Sequence, residues 1–467
     1  MLRFAVLNKV MSRRLARGLL PRKKVNPGIL FTGFIALFSS AISAQTITGT
    51  IGVDTLWDDL SEPYVIAADK SIAIDTSATL TISPGVRIEF ENNARLIVLG
   101  TIVAVGTIDT PIIFGPNSIG VSWGGILFKD SADDIVYNAD GSYASGSILE
   151  YVIVSGVSSL ITVFAVDTLV NGAIDLNDAF PALNFLTIHN NFTTGIYAVI
   201  SNSNSAPNDI LVISNSSIQG NTVSAIARSP GISIYDDGQT TIRIATNKLS
   251  NNVDTDYLNS GKNITTSTGG GLFISGAKQI EISANTFTSN SATNGGAINI
   301  TNLQDPLPNT DIKSFISNNL ISGNRAINGA GLYLVNSVVK VVNNQFIANA
   351  STLQGGGIYT KQSTAEFSQN LFLKNNSIST GGGIYVHNTA TGIKVDHNVF
   401  FTNHSDEHGG AFDVHGGTIN LLYNTFVSNT ANRSGDASQL GVGNGTFEYN
   451  SIQGKGSSSL IALGDKY

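Results

Sequence analysis

The sequence predicts an all-β protein built as a single right-handed parallel β-helix, a solenoid with about three short strands per coil. Three observations predict it. A Phe-x-x-Asn element pairs Phe287 with Asn290, Phe346 with Asn349, Phe372 with Asn375, Phe400 with Asn403 and Phe426 with Asn429; Ile321 and Asn324 form a weaker copy. A Gly-rich turn precedes Leu272, Ile298, Leu332, Ile358, Ile384 and Phe412, at steps of 26, 34, 26, 26 and 28 residues. The composition also suits strands and tight turns, with 48 Gly among 467 residues and only 13 % charged. Helices favour Ala, Leu, Glu and Lys instead.

Residues 1–44 read as a secretory signal segment. They hold eight Lys and Arg and no acid, then an apolar run over 29–38, then small residues around Ala41 and Ala44. Basic region, short apolar region and small-residue exit are the pattern of an export signal. The run is short for a spanning helix; an uncleaved anchor is the alternative. The expected location is extracellular or at a bacterial cell surface. Without this segment, 18 basic residues face 33 acidic ones, a formal charge of −15. Such a body repels nucleic-acid phosphates, which excludes nucleic acid as a partner. The chain has no Cys, so disulfides and thiolate metal sites are excluded.

Residues 45–467 are assigned to the β-helix. Residues 45–62 show little repetition and read as a lead-in segment or N-terminal cap. From Pro63 onward short alternating runs appear, as in residues 80–90, where Leu80 and Ile82 share a face and Val86, Ile88 and Phe90 follow a Pro-Gly turn. Between about 160 and 265 the repeat is stretched by polar insertions at 201–209 and 251–268, read as loops leaving the stack. Residues 440–467 read as an incomplete terminal coil, with Asn450 and Ile452 in repeat positions and Lys455 where a ladder Asn would stand.

A coil of about 26 residues has room for three strands and three turns. Stacked coils place equivalent residues about 4.8 Å apart. By the two-residue period Ile298 and Ile300 point inward. The Phe residues then stack in one core column, and the Asn residues form a ladder of amides at a tight turn. A propeller blade needs roughly 40 or more residues.

These motifs carry a resemblance. Phe-x-x-Asn combined with Gly-Gly-Ala-Ile (295–298), Gly-Gly-Gly-Ile (355–358 and 381–384) and Gly-Gly-Ala-Phe (409–412) resembles the repeat of chlamydial-type polymorphic outer-membrane proteins. It is also similar to the broader class of bacterial right-handed parallel β-helix proteins, including those with a pectin lyase-like fold. The resemblance covers roughly residues 63–455. It implies a β-helix at the cell surface and carries no activity. Proteins of the polymorphic family end in a membrane barrel, and no barrel strands are read here.

Two groups of residues are candidates for chemistry. Asp396, His397, His404, Asp406, Glu407, His408, Asp413 and His415 form the densest ionisable cluster, yet the repeat puts several of them at turn positions on different sides of the coil. Columns give a second candidate. Tyr333, Tyr359 and Tyr385 fall in one outward column and Lys361, His387 and His415 in another, which predicts an exposed aromatic ladder beside a partly basic one. Aromatic faces at regular spacing bind sugar rings or a protein partner; stacked Tyr also simply supports neighbouring strands. The pairs Asp58-Asp59, Asp133-Asp134 and Asp236-Asp237 lack a polygalacturonase-like context and read as turns. No catalytic residue, cofactor or metal site is assigned.

The expected function is a non-enzymatic, adhesin-like exported protein presenting an extended face to a polysaccharide or a cell-surface protein. A carbohydrate-active enzyme, lyase or hydrolase, is the alternative. A membrane enters only through export or an unidentified anchor.

Overall fold

The computed structural model describes residues 45–159, 170–201, 210–224, 229–255, 269–303, 312–387, 392–440, 444–454 and 461–463. Residues 1–44, read above as a secretory signal, Lys455 and most of the insertions at 201–209 and 251–268 lie outside them.

One coil shows the plan. Gln345–Ile347 belongs to a first wall, the Phe sheet. Ala350–Gln354 forms a short corner strand. Ile358–Lys361 belongs to a second wall, the Gly sheet, and Thr364–Ser368 to a third. Leu371–Leu373 then returns to the Phe sheet beside Gln345–Ile347. Repeated along the chain, this path builds three parallel sheets of 15, 15 and 14 described strands, and a corner sheet of five. The protein is an all-β right-handed parallel β-helix. Three strands per coil recur along the chain, with a fourth, corner strand at Thr222–Val223 and Val253–Asp254 and again in the coils from Arg325–Asn328 to Thr430–Ala431.

The two-residue period decides what fills the interior. From Thr187–His189 onward each Phe-sheet strand has three residues, and its middle side chain points in. Phe287, Phe346, Phe372, Phe400 and Phe426 are fully buried. From Phe346 to Phe426 their rings stack at centroid spacings of 4.9, 4.7 and 4.9 Å, with planes 5–6° apart. Phe287 is separated from this run by Ile321, which pairs with both it and Phe346.

After the inward Phe, the chain must turn sharply. Ser289, Ala348, Lys374, Thr402 and Ser428 take φ between 51° and 55°, a strained value for residues with a Cβ. The following Asn offsets that strain. Asn375 Oδ1 accepts the backbone N–H of Asn349 (3.1 Å) and its side-chain amide (3.0 Å). Asn375 Nδ2 donates to the Phe346 carbonyl (2.8 Å) and to Asn403 Oδ1 (3.0 Å). Asn290, Asn349, Asn403 and Asn429 occupy the same column, all buried and oriented alike. A second, parallel column stands at the corner between the third sheet and the Phe sheet. It runs Asn285, Asn319, Asn344, Asn370, Asn398 and Asn424, with the same bonding. The repeat is therefore Asn-x-Phe-x-x-Asn, with one amide column on each side of the aromatic one.

Gly before the later Gly-sheet strands, from Leu272 to Phe412, answers to crowding. A Cβ on Gly382 would lie 2.3 Å from the backbone oxygens of both Gly410 and His404, so only hydrogen fits.

Residues 45–62 carry the first strand of each wall: Gln45–Ile47, Thr50–Ile51 and Thr55–Trp57. These strands are two or three residues long and mostly exposed, which leaves no repeat signature to read. Past residue 440, Asn444–Glu448, Ser451–Gln453 and Ile461–Leu463 add one strand to each wall. The one antiparallel pair among the described residues is the hairpin of Val136–Tyr137 and Tyr143–Ser145.

Not every inward position of the Gly sheet is apolar. Thr360 occupies a column with Ile300, Leu334, Val386 and Val414. It is fully buried and its Oγ1 has no hydrogen-bond partner. Removing an unsatisfied hydroxyl without changing shape relieves a desolvation cost of about 1 kcal/mol. Thr360→Val is expected to raise stability by about that amount, read as a higher denaturation midpoint at unchanged slope.

Candidate functional site

The solvent side of the Gly sheet gathers more chemistry than any other described surface. Along Ile358–Lys361 the inward residues are Ile358 and Thr360, so Tyr359 and Lys361 face out. Register carries this to neighbouring coils: Tyr333 pairs with Tyr359, Tyr359 with Tyr385, and Tyr385 with Asp413. In the next outward column Val335 pairs with Lys361, Lys361 with His387, and His387 with His415.

The tyrosine rings stack, Tyr333 on Tyr359 at 4.8 Å and Tyr359 on Tyr385 at 5.4 Å. Their exposure differs from the sequence expectation. Tyr359 is only 8 % exposed and Tyr385 2 %. The cause is the Gly turn, which doubles back over its own strand. A Cβ on Gly381 would lie 2.7 Å from the Tyr385 Cβ, and one on Gly409 would lie 2.5 Å from the Asp413 Cβ. Beside them runs a bridged row of Gln354, Thr380, His408 and Ser434, and Gln354 reaches the Tyr385 hydroxyl. Alternation predicts which way a side chain points but not what folds over it. Burial pushes the Tyr359 phenol up to about 12 and Tyr385 higher still, with the Asp413 charge adding to the latter. These phenols stay protonated at physiological pH. Because the rings lie face to face, their faces are not open to a sugar ring.

Polar chemistry begins at the second column. His415 Nε2 is 3.2 Å from Asp413 Oδ2, and the Asp413 side chain is fully buried. That hydrogen bond raises the His415 pKa against the opposing effect of burial. His387 shifts the other way, lowered by burial and then by the charges of Lys361 and His415. Its Nδ1 lies 3.3 Å from the Tyr385 hydroxyl. Tyr385, His387, Asp413 and His415 thus form a two-by-two array on adjacent strands. Asp413 belongs to the predicted column, but only the structure shows it as the buried partner of His415. The sequence signal is an acid standing where three preceding coils carry Tyr.

Other candidates disperse. His397 contacts Asp396 at 2.8 Å and stacks on Tyr423 at 5.0 Å. His404 contacts Thr430 and Asp406, and His408 contacts Ser434. His397 stands at a turn, His404 in the corner strand His404–Ser405 and His408 in a bridged row before the Gly turn. Among the described residues no group of three or more His, Cys, Asp or Glu could hold a metal ion. Asp59 accepts the Ser61 N–H, and Asp236 accepts that of Thr240, as turn residues do. Asp133 and Asp134 line a cavity of about 570 Å³ against the 136–145 hairpin, with Asp133 taking the Thr101 hydroxyl and Asp134 the Phe180 N–H at 2.8 Å. Their carboxylates thereby serve the wall of that cavity.

The fold places the chain among right-handed parallel β-helix proteins. Residues 254–430, which include the whole strip from Tyr333 to His415, match the family model for a right handed beta helix region. A 68-residue stretch is 43 % identical to Protein bark beetle of Drosophila melanogaster, covering 15 % of this chain and 2 % of that protein. The chain therefore spans a very small part of that relative's length. No solved structure matches.

Proposed function

We propose that this protein is an exported β-helix that acts as a presenting scaffold, offering the outer face of its Gly sheet to a glycan or cell-surface protein. The observation that carries the reading is the in-register row Lys361, His387 and His415 beside the packed Tyr column. Three polar, ligand-competent groups repeat there with the coil, on a backbone held rigid by two amide columns. Similarity of the repeat to polymorphic outer-membrane proteins supports a surface location, and the basic, then apolar, then small-residue start of the chain supports export. Binding to a glycan array and to intact cells, compared between the native protein and a Lys361→Ala, His387→Ala, His415→Ala variant, tests this. Equal binding by both would remove the strip from the function.

A carbohydrate-active enzyme is the second reading, favoured by the Asp413–His415 pair beside Tyr385 and His387, which has the makings of acid–base chemistry. The row repeats with the coil along the sheet rather than converging on one point, so presentation is the stronger reading. Release of unsaturated products or new reducing ends from polysaccharides, abolished by His415→Ala, would reverse that order.

A further inference from the structure

Resting on the reading above, we infer that the Lys361, His387 and His415 row is a pH-gated site for an anionic polysaccharide lying along the helix axis. The row is unusual for this molecule. Residues 45–467 carry a formal charge of −15, and the other in-register cations on the neighbouring wall are paired. Arg243 bonds Glu281 at 2.7 Å, while Lys340 and Lys394 share Glu366. Lys361 has no such carboxylate among the described residues. Among the described residues His387 meets the Tyr385 hydroxyl and ring, and of the three groups His415 has an acid, Asp413. One buried carboxylate thus faces three groups able to carry positive charge.

Spacing selects the ligand. Successive coils repeat every 4.8 Å or so, so the three groups form a straight line with a fixed interval parallel to the axis. A single anion meets one or two of them. A linear chain with a negative group on each unit meets all three, and each added contact is intramolecular once the first has formed. The stacked Tyr333, Tyr359 and Tyr385 provide a continuous wall beside this line rather than separate sugar platforms.

Among the described residues, the groups beside the row come from two elements. Tyr359, Tyr385 and Asp413 come from the Gly sheet itself, and Gln354, Thr380 and His408 from the bridged row next to it. Asp413 holds the proton on His415, whereas Lys361 and His415 oppose a proton on His387. Positive charge on the imidazoles therefore accumulates in steps as pH falls, with His415 charging before His387. A bound anion opposes the repulsion within the row and favours the fully charged state.

Titration of the full-length protein with alginate (carboxylated), dextran sulfate (sulfated) and unsubstituted dextran, at pH 7.5 and 5.5 and at fixed ionic strength, tests the inference. At least one polyanion is expected to bind tenfold or more tightly at pH 5.5, with dextran weak at both values; which polyanion responds identifies the preferred group. Protonation of the acidic body alone would also favour anions at low pH, so the His387→Gln, His415→Gln variant is the decisive comparison. It should lose the pH effect, and Lys361→Gln should weaken binding at both pH values, while circular dichroism stays unchanged. Retained pH dependence in the double variant, or dextran binding equal to that of the polyanions, overturns the inference. If both polyanions fail while neutral glycans or cells still bind through the strip, this inference falls and the presenting-scaffold reading stands.

Discussion

Asn375→Leu is expected to destabilise the β-helix by about 4 kcal/mol, more than loss of a single ordinary hydrogen bond. Leucine has similar bulk but makes none of the four bonds of the native amide. The Asn349 N–H and the Phe346 carbonyl lose their side-chain partner, and the amides of Asn349 and Asn403 lose a neighbour. All of these groups lie where water does not reach, and each orphaned group costs about 1–3 kcal/mol. Lys374 would also keep its strained φ of 55° without the bonds that offset it. Because a solenoid need not unfold as one unit, the informative measurement is amide exchange by residue. Exchange should accelerate at Asn349 and in the coils on either side, and stay slow near residues 60–100. A denaturation midpoint and exchange pattern equal to those of the native protein would show that the column contributes nothing.

Phe372→Ala is expected to cost about 3–5 kcal/mol through the cavity it leaves. The ring is fully buried, and it stacks on Phe346 at 4.9 Å and Phe400 at 4.7 Å, nearly parallel to both. Collapse is hindered because each neighbour is held from above and below by its own strand pairing. Phe372→Leu should cost clearly less, since Ile321 already fills an equivalent place in this column. Equal midpoints for the alanine and leucine variants would show that volume at this position is not what holds the stack.

Much of this architecture is legible in the sequence because each coil repeats the same local demands. Phe400 and Asn403 lie three residues apart since one residue points out and the next must turn the chain. That spacing recurs coil after coil from Phe287 to Asn429, so it survives as a pattern. The second amide column is harder to see. Asn344, Asn370 and Asn398 also recur, two residues before each Phe, but the neighbouring residues Asn343, Gln369 and His397 differ and the position looks like any polar turn. The covering of Tyr359 and Tyr385 is not legible at all. It depends on how tightly the Gly turn folds over its own strand, a three-dimensional fact with no period of its own. Likewise the hairpin at 136–145 and its cavity arise once, so no repeat announces them. The pairing of Asp413 with His415 was half visible: alternate residues on a strand share a face, but burial of the acid is what makes the pair matter.

The two amide columns have one more consequence. Every rung hands its donor to the following coil and takes one from the preceding coil, in the same sense from Asn290 to Asn429. The stack therefore behaves like nested cups. Any number fit together, and a cup can be added or withdrawn between two others without disturbing its neighbours' grip, but every cup must stand the same way up. Height is free to vary in such a protein, whereas an inverted cup would set donor against donor. Whatever is displayed on the outside is accordingly repeated with one fixed pitch and one fixed direction, so the surface has a heading as well as a pattern.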